Sequence, residues 1–164
     1  MATLILYYSQ RGTTDLVAKT LAKNLDGHLL RIHDLKNRDG LTNRLFATIS
    51  AFREEKTEIR PAKVDLTNYD TIYLGSPTWS GSPTPAIITL IDRCNFTGKD
   101  VVLFATMDAN RGDSNLRRLQ EKVKMRGARV IECFTIATKN KSPQQLVNDT
   151  EAIIEMKDLK MYKR

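Results

Sequence analysis

The side chains best equipped for chemistry sit in three short runs, each following an apolar segment. In the first, Ser9-Gln10-Arg11-Gly12-Thr13-Thr14 follows Leu4-Ile5-Leu6-Tyr7-Tyr8 and precedes Val17, Ala18, Leu21, Ala22 and Leu25 at helical spacing. A strand ending in hydroxyl, amide and guanidinium groups, with a helix directly behind, aims helix N–H groups, two threonine hydroxyls and one arginine at one point. The natural occupant of such a point is a phosphate. Gly12 is the only glycine of the run, so neither the dinucleotide pattern G-x-G-x-x-G nor the Walker pattern is present. A plain strand-to-helix turn capped by Thr13 or Thr14 is the other use of these residues.

The second run, Ser76-Pro77-Thr78-Trp79-Ser80-Gly81, holds the single tryptophan of the chain. Tryptophan usually packs in a core, but Trp79 stands between Pro77 and Gly81 just past a strand end. An indole beside a phosphate site suits stacking on a flat ring. The third run, Met107 to Asp113, follows the apolar stretch Val101 to Thr106. His28, His33, Cys94 and Cys133 are too few and too scattered for a metal site or a disulfide framework, and the two cysteines read as plain thiols.

The elements that must position these runs alternate. Strands are expected at Leu4–Tyr8, His28–Ile32, Tyr69–Gly75, Val101–Thr106 and Val130–Ile136. Between them lie the helical spacings of Val17 to Leu25, of Ile87, Ile88 and Ile91 after Pro83 or Pro85, and of Leu116, Leu119 and Val123 before Gly127. Ser142-Pro143-Gln144-Gln145 fits a capping box ahead of Leu146, Val147, Thr150, Ile153 and Ile154. Leu45, Ile49 and Phe52 suggest one more helix, with irregular chain at Asn37–Leu41 and Glu54–Lys63. Five strands alternating with helices predict an α/β domain spanning 1–164, three-layered and doubly wound, with a five-stranded parallel sheet. Its ligand is expected beyond the carboxyl ends of the strands, where the three polar runs meet.

Composition bounds the remaining choices. At 164 residues, with 41% hydrophobic and 27% charged residues, the chain reads as one soluble domain. No apolar stretch reaches membrane-spanning length and Met1 leads directly into a strand, so a cytoplasmic protein without membrane association is expected. Twenty-six Lys and Arg against nineteen Asp and Glu give a net charge of +7. Seven cations and two anions lie between Arg111 and Arg129, and four cations and one anion fill the basic tail 157–164. Solvated helix faces account for much of this. The sharper reading is a docking surface for an acidic partner, with nucleic acid behind it because no aromatic residues interleave the helix cations.

Tyr8-Ser9-Gln10-Arg11-Gly12-Thr13-Thr14, together with Tyr69-Asp70-Thr71-Ile72-Tyr73-Leu74-Gly75-Ser76-Pro77-Thr78-Trp79, resembles the phosphate loop and third-strand signature of the flavodoxin family. The likeness extends in element order from Leu4 to about Ile154. It implies a flavodoxin-like fold with strand order 2-1-3-4-5, the arrangement the family itself exemplifies, and FMN as cofactor. By that resemblance Ser9, Gln10, Arg11, Gly12, Thr13 and Thr14 hold the phosphate. Pro77, Thr78, Trp79, Ser80 and Gly81 flank one side of the ring, and Thr106, Met107, Asp108, Asn110 and Gly112 supply contacts on the other.

The chain departs from the family pattern in four places. Arg11 stands where Thr or Ser is common, which still favours an anion. Ser80 separates Trp79 from Gly81, where many members have the two adjacent. Met107 to Ser114 carries no aromatic residue, which leaves one ring face more open. The net charge is positive where carrier flavodoxins are usually acidic, and cations such as Arg111 would favour the fully reduced, anionic cofactor.

An electron carrier between redox partner proteins, as a monomer or homodimer, is the leading expectation. An FMN-dependent reductase of quinones or similar small molecules, fed by a nicotinamide cofactor, is the alternative. A basic binding module without flavin is the third.

Overall fold

In the computed structural model, which describes residues 2–36 and 56–163, the first strand, β1 (Ala2–Tyr8), decides the layering. Side chains alternate across a strand, so Leu4, Leu6 and Tyr8 join one buried cluster while Ile5 and Tyr7 join another. The first cluster lies under α2 (Pro85–Arg93) and α3 (Gly112–Met125), through Ile87, Leu90, Leu116 and Leu119. The second lies under α1 (Thr13–Leu25) and α4 (Pro143–Met156), through Val17, Leu21, Leu146 and Ile154. A sheet covered on both faces explains why its central strands read as continuous apolar runs. Each fully buried Leu or Ile contributes about 1.5–3 kcal/mol, so these two clusters hold the three layers together.

The other strands are β2 (His28–Asp34), β3 (Ile59–Arg60), β4 (Tyr69–Pro77), β5 (Asp100–Met107) and β6 (Arg129–Ala137). Their order is β3-β2-β1-β4-β5-β6. The five long strands are parallel and keep the expected order 2-1-3-4-5. The sixth corrects the expected five: Ile59–Arg60 pairs antiparallel with His33 and Asp34. Two residues are too few to show an alternation, which is why the pattern there reads as irregular chain. Ile59 is nevertheless buried, and the Leu35 N–H extends the pairing by donating to the Glu58 carbonyl at 2.9 Å. The helix suggested by Leu45, Ile49 and Phe52 lies outside the described residues.

Element ends follow local chemistry. Pro85 takes the first position of α2, and Gly127 follows α3 with φ +92°. At α4 the capping box forms: the Gln145 N–H donates to Ser142 Oγ at 3.2 Å, and the Ser142 N–H donates to Gln145 Oε1 at 2.7 Å. Ser142→Ala is expected to cost about 1 kcal/mol, a fall of roughly 2–4 °C in Tm for a domain of this size. An unchanged thermal melt would contradict that. Cys94 and Cys133 are free thiols. Among the described residues no helix is long and apolar enough to cross a membrane.

Candidate functional site

The carboxyl ends of β1, β4, β5 and β6 open on a cavity of about 310 Å³. The chain after β1 is shaped from inside. Gly12 sits at φ +97°, a conformation that favours glycine, and its N–H donates to Ser9 Oγ at 3.0 Å. The helical ladder of α1 begins with the Leu16 N–H on the Gly12 carbonyl. The N–H groups of Thr13, Thr14 and Asp15 are therefore without intrahelical acceptors at the positive end of the helix dipole. A Cβ built on Gly12 would meet nothing within 4 Å, so it is the positive φ and not crowding that favours glycine there.

Three residues behind the loop brace it. Arg31 on β2 donates from Nη2 to the Ser9 carbonyl at 2.7 Å and stands 3.8 Å from Asp15, which also pairs with Lys19 at 2.8 Å. The Tyr7 hydroxyl donates to the same Asp15 carboxylate. Burial, then the bond to Asp15, pushes the Tyr7 hydroxyl well above its ordinary pKa. Burial alone would raise Asp15 too, but the bonds from Lys19 and Tyr7 and the charges of Lys19 and Arg31 outweigh it. They hold the carboxyl below the usual carboxylate range. A carboxyl lowered by folding adds stability above its unfolded pKa of about 4, and that contribution is lost as pH falls through the lower folded value. Asp15→Asn is thus expected to flatten the acid limb of a stability–pH profile between pH 7 and 3. An acid limb parallel to that of the unsubstituted chain would contradict this.

The second wall comes from the end of β4. The Thr78 N–H donates to the Thr106 carbonyl at 2.9 Å, and Thr106 Oγ1 shares a buried hydrogen bond of 2.7 Å with Thr14 Oγ1. One pair of threonines thereby joins the start of α1 to the end of β5. Beyond Thr78 the chain reverses tightly. Trp79 and Ser82 exchange two backbone hydrogen bonds of 3.0 Å, with Ser80 at φ +50° and Gly81 at φ +76° between them. Positive φ at both central residues marks a type I′ turn, so the serine between Trp79 and Gly81 is half of a two-residue hairpin. The indole packs edge-on to Tyr8, with ring centroids 6.0 Å apart and planes at 85°.

The cavity is lined by most of the residues the sequence singles out: Gln10, Arg11, Thr13, Thr14, Pro77, Thr78, Trp79, Ser80, Thr106, Met107 and Asp108. Ser9, Gly12, Gly81, Asn110 and Gly112 are not among its lining. Ser9 and Gly12 shape the loop from below. Gly81 is buried where Arg111 Nε lies 3.2 Å from the position a Cβ would take. Asn110 is exposed, and Gly112 sits against Met107 and Thr135.

Thr138, which stands outside the three polar runs, also lines the cavity, and its N–H donates to the Met107 carbonyl at 2.8 Å. Its signal is position, since it follows the last strand as the three polar runs follow theirs. Chemically, the site offers anion-binding donors at one end, one indole, and neutral hydroxyls between.

A family model described as Flavodoxin matches residues 2–148. Among solved structures, a flavoprotein from Lactobacillus acidophilus NCFM, crystallised in complex with FMN, is 28% identical, with a TM-score of 0.71 over 82% of this chain and 92% of that one. Flavodoxin 2 from Bacillus cereus, in oxidised form, is 20% identical and shares the fold at TM-score 0.57, covering 95% of this chain and 99% of its own. An apo NADH:FMN oxidoreductase is 16% identical and shares the fold at TM-score 0.55, covering 95% and 90%. A comparison with curated proteins finds no match.

Proposed function

Because the chain belongs to the flavodoxin family, we propose that its cavity binds FMN and that the protein carries electrons between protein partners. One observation carries the reading: the open N-terminus of α1 and Trp79 line one cavity, joined by the Thr14–Thr106 hydroxyl pair. The donor set fits the cofactor. Thr13, Thr14, Arg11 and the free N–H groups of α1 suit a phosphate, and Trp79 suits a flat ring. When bound, FMN supplies reversible one- and two-electron chemistry. The chain binds it, orients it and sets the field around it.

Charge at the rim supports protein partners. Arg11, Arg111 and Lys139 are exposed and have no carboxylate partner among the described residues. Lys23, Arg117 and Lys124, within α1 and α3, are likewise exposed without a carboxylate partner among the described residues, whereas Arg11 lines the cavity and Arg111 and Lys139 adjoin its loops. Unpaired cations around a ligand mouth favour an acidic partner and raise its association rate. The test is electron exchange between the FMN-loaded chain and a small acidic redox protein. The rate should fall steeply between 50 and about 300 mM salt, and Arg111→Glu should slow it at low salt. A rate indifferent to both would count against the carrier reading.

One observation favours a reductase as a second reading: among the described residues Trp79 is the only aromatic one lining the cavity, which leaves room for a small substrate. Rapid oxidation of a nicotinamide cofactor in the presence of a quinone would support it. Negligible turnover would support the carrier.

A further inference from the structure

Asn115 is fully buried on α3, among the apolar positions Leu116, Leu119 and Val123 that pack this helix to the sheet. Its amide nitrogen stands 3.0 Å from Thr78 Oγ1, 3.1 Å from the Pro77 carbonyl oxygen and 3.4 Å from the Ser76 carbonyl oxygen. Carbonyl oxygens only accept, so the amide must present its nitrogen to them. The amide oxygen is then buried with no hydrogen-bond partner among the described residues. Such orphaned groups are few in folded proteins and call for a reason.

The reason lies in what the nitrogen holds. Ser76, Pro77 and Thr78 are consecutive, and they lead the end of β4 into the cavity wall that continues as Trp79 and Ser80. A second contact from the same helix end reaches the same loop. Arg111 precedes Asn115 by one turn and takes a positive φ of 69°, and its guanidinium covers Gly81. The start of α3 thus grips the Trp79 hairpin at both of its ends.

We propose that Asn115 is a positioning residue that holds the Trp79 loop and turns the Thr78 hydroxyl toward the ligand. Thr78 Oγ1 accepts from the Asn115 amide and has no other hydrogen-bond partner among the described residues. Its own proton is therefore free to be donated into the cavity that Thr78 lines. That wall selects a ligand presenting a hydrogen-bond acceptor, and Asn115 sets the direction of the donor without touching the ligand. The choice of ligand rests on the FMN reading above. The positioning role does not.

The single tryptophan allows the two to be tested apart. In flavin-free Asn115→Ala, acrylamide quenching of Trp79 should rise about twofold as the loop loosens, and the Kd for FMN should rise about tenfold, or roughly 1.4 kcal/mol. Asn115→Asp keeps the shape but replaces the donor with an acceptor. It draws the Thr78 proton inward and should weaken FMN at least as much. Thr78→Val leaves the buried amide in place, so it tests the hydroxyl even if Asn115→Ala fails to fold, with a rise of about tenfold in Kd expected.

Because Asn115 acts through Thr78, the losses in the double variant should be less than additive. Trp79 quenching unchanged in Asn115→Ala overturns the positioning role. Unchanged FMN affinity in Thr78→Val, or fully additive losses, overturns the orientation of the hydroxyl. If the unsubstituted chain takes up no FMN, the functional reading fails, while the quenching result still decides the positioning role.

Discussion

Gly75→Ala is expected to destabilise the protein by about 2–3 kcal/mol, the upper part of the range for overpacking a dense core. Gly75 lies in β4 directly beside Phe104 of β5, and a Cβ built on it would stand 2.1 Å from Phe104 Cζ and 2.3 Å from Cε2. The ring cannot simply swing aside. Its other side is stacked on Phe134, with centroids 5.7 Å apart and planes at 12°. Alanine is the easier residue to fix in a strand, by roughly 0.5–1 kcal/mol, but that gain is smaller than the cost of moving a stacked pair. The readout is a urea midpoint that falls at unchanged m-value. Adding Phe104→Leu should restore part of the loss, because the two positions are in contact and their effects do not add. A Gly75→Ala protein as stable as the parent would show that the ring does not occupy the place of the missing side chain.

Trp79→Ala should raise the Kd for FMN by tenfold to a hundredfold. Replacing an aromatic residue that stacks on a nucleic-acid base costs about 1–3 kcal/mol, each 1.4 kcal/mol is a factor of ten, and a flavin ring is at least as large. The substitution removes the only aromatic lining that the described residues give the cavity and the edge contact with Tyr8. The hairpin itself should survive, because its two hydrogen bonds join backbone atoms of residues 79 and 82 and its positive φ values belong to Ser80 and Gly81. Quenching of bound flavin should weaken in parallel. Equal affinity and equal quenching in the variant would place the ring away from Trp79.

How legible each part was in the sequence follows from how local its determinants are. Among the parallel strands β1, β4 and β5 announce themselves through their buried apolar runs, and the box at Ser142 and Gln145 is legible because capping is settled within four residues. The loop around Gly12 is legible for the same reason. β3 is not, since two residues carry no period and owe their strand conformation to the edge of β2.

The site divides along the same line. Thr78 and Asp108, directly past β4 and β5, fall on the cavity, as does Met107 at the end of β5. Asn110 and Gly112, placed by resemblance, do not line it. Between them Arg111 takes a left-handed conformation that begins α3, and Gly112 turns to the sheet.

Arg31 and Asn115 are illegible because their roles arise only on assembly. Arg31 reaches the Ser9 carbonyl because β2 registers it opposite Tyr7. Asn115 meets Thr78 across 37 residues of chain.

In the proposed complex the α1 N-terminus receives the phosphate of FMN while Trp79 meets its ring. The most direct measurement is a pair of fluorescence titrations of the purified chain, one with FMN and one with riboflavin, which has the same ring and no phosphate. Saturable binding of one FMN per chain is predicted, with riboflavin weaker by about a hundredfold, or roughly 3 kcal/mol. That is the scale of a few charge-assisted hydrogen bonds. Equal affinity for the two, or no uptake of FMN, would contradict that arrangement.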